Sequence, residues 1–158
     1  MQRNPITPSG YEALVKDLKH LKEVVRPGIV RDIEEARAHG DISENSEYED
    51  AKERQSHCEG KIGMLENLVA TADIIDVAKL PRNGRVVFGT TVVVEDVKSG
   101  NQRTWRIVGE TEADVASGQI SFKSPVAKAM IGKNEGDQFD VAAPGGVQKW
   151  EIVEVRYT

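Results

Sequence analysis

Asp41 and Glu44, with two residues between them, head the most acidic stretch of the chain. Positions 41 to 50 hold five acids (Asp41, Glu44, Glu47, Glu49 and Asp50) and no base. Two carboxylates at this spacing suit a hard divalent cation. Mg²⁺ typically takes one or two carboxylates, keeps several waters and completes its octahedron with phosphate oxygens. Asp41 and Glu44 alone would make an incomplete, weak site. The sequence offers no phosphate-cradling Gly-rich loop, no His/Cys ligand cluster and no nucleophile–base pair. The remaining ligands would therefore come from a partner, and a pair so presented could retain a second ion for a two-metal reaction. The plain alternative is that these acids are solvated and complement the positive N-terminal dipole of a following helix.

What must position them is helical. From Ser9 to about Ala38, apolar residues fall at Tyr11, Leu14, Leu18, Leu21, Val25, Ile29, Ile33 and Ala36, in steps of three or four. Ser9 reads as an N-cap, with Glu12 three residues later completing a capping box. Pro27-Gly28 predicts a kink or interruption, because proline removes one i→i−4 bond and clashes with the preceding turn. A second pattern runs from about Asn45 to Ala72 through Tyr48, Ala51, Gln55, Cys58, Ile62, Leu65 and Val69. Gly60 and Gly63 weaken it by up to ~1 kcal/mol each, so packing must hold it.

Gly40 can cap the first helix, and Ser43 or Asp41 the second. Two amphipathic helices with so short a connection must lie antiparallel. Their narrow stripes suit a two-stranded coiled coil, and about 30 residues make an arm roughly 45 Å long. The acids would then stand at the end of an arm, beyond what capping needs, on a short connection that holds them. Those three features weigh against the plain alternative.

Arg37 precedes the connection by about one turn, and Lys52 and Arg54 follow it by two. They sit at similar heights in an antiparallel pair and could contact a nucleic-acid backbone beside the acids. Salt bridges with Glu34, Glu49 or Asp50 are the competing explanation. His20, His39 and His57 lack metal-ligand spacing, and Cys58 lies on the apolar seam as a core thiol.

The period changes after Pro81-Arg82-Asn83-Gly84. Thr90–Val97, Arg103–Val108, Gly118–Phe122, Gln138–Ala142 and Lys149–Arg156 are short, β-branched-rich runs separated by turn signals. Ser99-Gly100-Asn101 and Gly145-Gly146 read as hairpin turns. One short helix is predicted, with Ser124 as N-cap, Pro125 at its first position and Gly132 after its end. Trp105 and Trp150 are expected in core or cross-strand packing. The fold class is α+β, with a helical arm at residues 1–79 and a small β-rich domain at 80–158.

Composition bounds the function. The 158 residues are 39% hydrophobic and 30% charged, which is globular, and only 5% aromatic, which limits any base-stacking platform. The net charge of −5 provides no overall positive field for coating nucleic acid. Residues 1–80 carry 11 Lys/Arg against 16 Asp/Glu, whereas residues 81–158 carry 10 of each, so the imbalance sits in the first half. A single cysteine excludes an internal disulfide and a Cys-rich zinc site. No apolar run resembles a leader or approaches the roughly 20 residues needed to span a bilayer, so a soluble cytoplasmic protein is expected.

The run from Glu35 to Tyr48, Glu-Ala-Arg-Ala-His-Gly-Asp-Ile-Ser-Glu-Asn-Ser-Glu-Tyr, resembles the tip signature of the Gre transcript cleavage factors of bacterial RNA polymerase. Asn83-Gly84-Arg85-Val86-Val87-Phe88-Gly89, Ile107-Val108-Gly109, Ser124-Pro125-Val126-Ala127 and Ile131-Gly132-Lys133 resemble the same family's C-terminal segments. The likeness covers essentially the full length in order. The acidic balance is nearer the less basic branch of the family.

The resemblance implies an N-terminal coiled coil that enters the polymerase secondary channel and an FKBP-like C-terminal domain that docks at the channel rim. In backtracked complexes the tip acids would help hold the second catalytic Mg²⁺, shared only in the complex, and activate water. The polymerase would then hydrolyse the extruded 3′ segment of the nascent RNA. Asp41 and Glu44 occupy the two acidic positions of that motif, and Asn45 and Tyr48 match nearby tip positions. Ser121, Ser124 and Pro125 match the segment associated with rim docking, although capping alone would explain Ser124-Pro125. A chain of this kind is expected to be a monomer with weak DNA binding, no cofactor when free, no membrane association and no catalytic site of its own.

Three rivals are weaker. A channel-blocking relative would carry an altered acidic tip. A prolyl isomerase would need an apolar pocket walled by aromatics, and this half offers few. A plain coiled-coil adaptor leaves the tip acids unexplained.

Overall fold

Thr7 separates the first two elements, a short strand β1 (Asn4–Ile6) and a helix α1 (Pro8–His20). The computed structural model describes residues 3–40 and 46–158. The helix begins earlier than its apolar pattern suggests. Its cap is Thr7, whose hydroxyl accepts the Gly10 N–H at 3.1 Å, with Pro8 next at the position where a missing N–H costs nothing. Ser9, expected as the cap, lies inside the first turn.

After α1 comes one π-helical stretch, Leu21–Val25, and then α2 (Arg26–Ala38) without a break. The Arg26 N–H reaches back five residues to the Leu21 carbonyl. The expected disturbance at Pro27 is thus an extra residue wound into the turn before it, which carries the helix past a position that cannot donate. After residue 45, α3 (Ser46–Ala70) returns antiparallel to α2.

The seam between the helices is narrow. Leu14, Leu21, Ile29, Ile33 and Ala36 are buried on one side, and Ala51, Cys58, Ile62 and Leu65 on the other. The spacings of three, four and seven, with one of eight from Leu21 to Ile29 across the π-helical turn, make it a two-stranded coiled-coil seam. Gly60 and Gly63 lie outside it, exposed in the middle of α3.

The chain then forms β2 (Ala72–Ile74), which pairs with β1 in a two-stranded sheet. The remaining elements are β3 (Thr91–Asp96), β4 (Gln102–Val108), β5 (Gln119–Ser121), α4 (Pro125–Met130), β6 (Gln138–Ala143) and β7 (Gly146–Arg156). They form a five-stranded sheet in the order β5-β4-β3-β7-β6. All its pairs are antiparallel except β4 with β5. The two predicted hairpin turns are present, with Gly100 at φ 75° and Gly146 at φ 122°, conformations a side chain would resist.

One face of the sheet carries a core of Val92, Val94, Ile107, Ile120, Phe139, Trp150 and Ile152, closed by Ala127 and Met130 of α4. Trp105 and Trp150 meet over β3 edge to face, with ring centroids 5.4 Å apart. Two units result: Tyr11–Ala72, and Arg3–Gly10 together with Asp73–Thr158.

Candidate functional site

The end of the hairpin is built from both sides. On the α2 side, Gly40 takes φ 94°, and its N–H bonds the Arg37 carbonyl at 3.1 Å. The His39 N–H bonds Ala36 in the same way at 3.3 Å. Glycine is needed here because the left-handed conformation that turns the chain off the helix is costly for other residues.

On the other side, α3 starts at Ser46 with Glu47 and Glu49 in its first turn, where the helix dipole favours anions. Two contacts tie the sides together. His39 Nδ1 lies 3.6 Å from the Glu47 carboxylate. The Arg37 guanidinium sits over the Tyr48 ring, 5.9 Å from its centroid. Asp41, Glu44 and Asn45 lie outside the described residues; the five positions 41–45 join these two fastened ends.

Further along the hairpin the cations divide. Arg54 bonds Asp32 across the seam at 3.0 Å, so its partner is an acid of the facing helix. Lys52 donates to the Gln55 side chain at 3.1 Å, a neutral partner on its own helix. Arg26 bonds Glu59 at 2.7 Å, and Lys22 lies 3.6 Å from Glu66. The hydrogen bond that Arg26 donates to Glu59 is the main reason Arg26 holds its proton more tightly than usual. These cross-hairpin pairs keep the two helices in one register. All of them are exposed, so each contributes modestly.

In the β unit, Ser121 ends β5 and its hydroxyl accepts the Lys123 N–H at 3.1 Å. Ser124 caps α4 by accepting the Ala127 N–H at 3.2 Å, and Pro125 follows in the first turn. Pro125 is exposed, while Ser121 and Ser124 are half-buried. The structure therefore brings Ser121, Ser124 and Pro125 together around one turn, and Arg37 and Tyr48 together at the hairpin end.

Among the described residues, no group of three or more His, Cys, Asp or Glu side chains is placed to hold a metal ion. No helix among them is long and apolar enough to cross a membrane. A cluster that sequence reasoning did not anticipate surrounds Glu112. Its carboxylate accepts from Thr7 and from the Gly109 N–H at 2.8 Å. The only sequence signal for it was Ile107-Val108-Gly109, a segment with no role attached.

Comparison with known proteins settles the class. Residues 4–74 match the family described as "Transcription elongation factor, N-terminal", and residues 81–157 match "Transcription elongation factor, GreA/GreB, C-term". The chain belongs to the GreA/GreB family of transcription elongation factors. Within that family its relatives include two proteins named "Transcription elongation factor GreA". That of Anaeromyxobacter sp. (strain K) is 54% identical, over 99% of this chain and 94% of the relative. That of Neisseria meningitidis serogroup A is 50% identical, over 99% of each. Among solved structures, the GreA factor homolog 1 protein of Thermus thermophilus is 27% identical. It matches over 98% of this chain and 99% of that one, with a TM-score of 0.45.

Proposed function

We propose that this elongation factor stimulates RNA polymerase to cleave backtracked nascent RNA, by inserting the end of its helical hairpin into the polymerase secondary channel. The observation that carries this reading is the fastening of the hairpin on both sides of positions 41–45. Gly40, the His39–Glu47 pair and the Arg37–Tyr48 contact hold the flanks of a segment containing Asp41 and Glu44. Carboxylates delivered into another enzyme's site act only if they arrive in position, because small misplacements of catalytic groups cost orders of magnitude in rate.

The donor set fits a hard cation in part. Asp41 and Glu44 supply anionic oxygen, and no further ligand group is assembled among the described residues. The two acids would hold Mg²⁺ only jointly with the polymerase. When bound there, the ion lowers the pKa of its water and stabilises charge on the phosphate. Asp41 and Glu44 bind and orient, and Asn45 and Tyr48 support the turn that carries them. Arg37, Lys52 and Arg54 lie along the hairpin where they can face RNA phosphates. Arg54 must first give up or share its bond with Asp32. Ser121, Ser124 and Pro125 form the turn that docks at the channel rim. The chain completes the polymerase's catalytic site and has none of its own. It works in the cytoplasm as a monomer.

The test is RNA cleavage in stalled, backtracked polymerase complexes with the wild-type chain, Asp41→Ala and Glu44→Ala. Strong stimulation by wild type, near-complete loss in either variant and retained polymerase binding are expected. Undiminished cleavage with both variants would sink the metal-delivery reading.

A further inference from the structure

Near the middle of the hairpin both of its sides are weakened at one height. On one side the π-helical turn Leu21–Val25 interrupts the i→i−4 ladder, and Pro27, which cannot donate, follows two residues later. On the other side α3 carries Gly60 and Gly63, and glycine is second only to proline in weakening a helix. The two stretches are in contact. Lys22 lies 3.6 Å from Glu66, and Arg26 bonds Glu59 at 2.7 Å. The π turn therefore spans the same length of hairpin as Glu59 to Glu66, with both glycines inside it.

The seam thins at that height too. Between Leu21 and Ile29 the first side buries no apolar residue, and Val25, at the expected seam position, is only half-buried. Arg26 Nε is buried there with no hydrogen-bond partner among the described residues, which costs stability. Packing gives no reason for the glycines, since a Cβ at either would meet nothing within 4 Å. Farther along, the seam is regular again: Ile29, Ile33 and Ala36 are buried, as are Ala51 and Cys58 of α3.

We propose that this stretch is a bending joint within the hairpin. The distal part, residues 29–38 with 46–58, swings as one body about the π turn and the two glycines. The Lys22–Glu66 and Arg26–Glu59 pairs bracket the joint and tie the helices on either side of it. Sharp bends in helices arise at π turns, at proline and at small residues. A weak point in one helix alone would be splinted by its partner, so a two-stranded arm bends where both strands yield together. The joint goes beyond the reading of the hairpin given above and is tested without polymerase.

The first measurement is pulsed dipolar spectroscopy on the full-length chain carrying Cys58→Ala. Spin labels are placed at exposed positions, with Lys16→Cys and Glu49→Cys spanning the joint and Arg31→Cys and Glu49→Cys lying beyond it. The spanning pair should give a broad distance distribution and the distal pair a narrow one. Adding Gly60→Ala and Gly63→Ala should narrow the first toward the second and leave the second unchanged. The other measurement is hydrogen exchange of the free chain with Cys58 intact. The glycine double variant should slow exchange about tenfold at the amides of Ile62 to Leu65 and, equally, at those of Lys22 to Arg26, because one opening exposes both.

A narrow distribution across the joint in the parent chain, or one that stays equally broad after both glycines are replaced, would overturn the joint. Exchange slowed in α3 alone would reduce the glycines to a local propensity effect and overturn the coupled yielding of the two sides. Neither result depends on whether the hairpin enters the secondary channel.

Discussion

Arg37 and Tyr48 meet across the end of the hairpin, the guanidinium 5.9 Å from the ring centroid, one residue on each side of the segment that carries Asp41 and Glu44. A cation over an aromatic face at an exposed site is worth about 0.5–1 kcal/mol. The contact therefore fastens the hairpin end without dominating its stability. A double-mutant cycle with Arg37→Met, Tyr48→Leu and both together should give a coupling of about that size in thermal unfolding. Additive effects would mean that the ring does not feel the charge, and the flank would then rest on Gly40 and the His39–Glu47 pair alone.

Gly60 and Gly63 present a different opportunity. Both are exposed inside α3, and a Cβ at either would meet nothing within 4 Å. Glycine there adds unfolded-state freedom and protects no packing. Gly60→Ala and Gly63→Ala should each stabilise the hairpin by up to about 1 kcal/mol, read from helical ellipticity at increasing temperature. A loss of stability would mean that another surface covers this face of α3.

The helices and the hairpin were legible because a three/four spacing has few other solutions. The same was true of α4, where Ser124, Pro125 and Gly132 mark start and stop, and of both β-turns. The π-helical turn had a signal that the expected kink did not use. Leu21, Val25, Ile29 and Ile33 step by four three times in succession, one residue more than a heptad seam needs. Winding that residue in before Pro27 restores the register. The cap at Thr7 was missed because its hydroxyl is directed by Glu112, 105 positions away, and no local pattern carries that pairing. β1 and β2 are three residues each, too short for any periodicity. At the hairpin end, residue types alone pointed to Asp41 and Glu44, which lie outside the described residues, whereas the pairing of His39 with Glu47 needed the antiparallel register.

Trp105 and Trp150 should separate in their energetic weight although they touch. Trp150 is 5% exposed and belongs to the core, while Trp105 packs against that core only partly buried. Trp150→Ala should destabilise the β unit by about 3–5 kcal/mol. Trp105→Ala should cost less, about 0.5–1.5 kcal/mol for the ring contact plus the part of its surface that is buried. Chemical denaturation followed by the remaining tryptophan's fluorescence measures both. Equal losses would place Trp105 as deep in the core as its partner.

The hairpin poses a last question of magnitude, whether its ion pairs or its seam holds it. Lys22–Glu66, Arg26–Glu59 and Asp32–Arg54 bridge the two helices, all with exposed side chains. At about 1 M salt the screening length falls to roughly 3 Å, and most of that attraction is removed. Ile62 is 2% exposed in the seam, and Ile62→Ala loses its transfer energy and leaves a cavity, about 2–5 kcal/mol. The Arg26–Glu59 pair also resists pH. Arg26 holds its proton more tightly in the fold than when unfolded, so while the Glu59 carboxylate is charged its contribution persists through neutral and mildly alkaline pH and is lost only above the ordinary arginine range. The expected result is that high salt lowers the hairpin's melting temperature by less than Ile62→Ala does, with little change between neutral and mildly alkaline pH. A salt effect larger than the Ile62→Ala effect would make the charged flanks, and not the apolar seam, the element that keeps the helices paired.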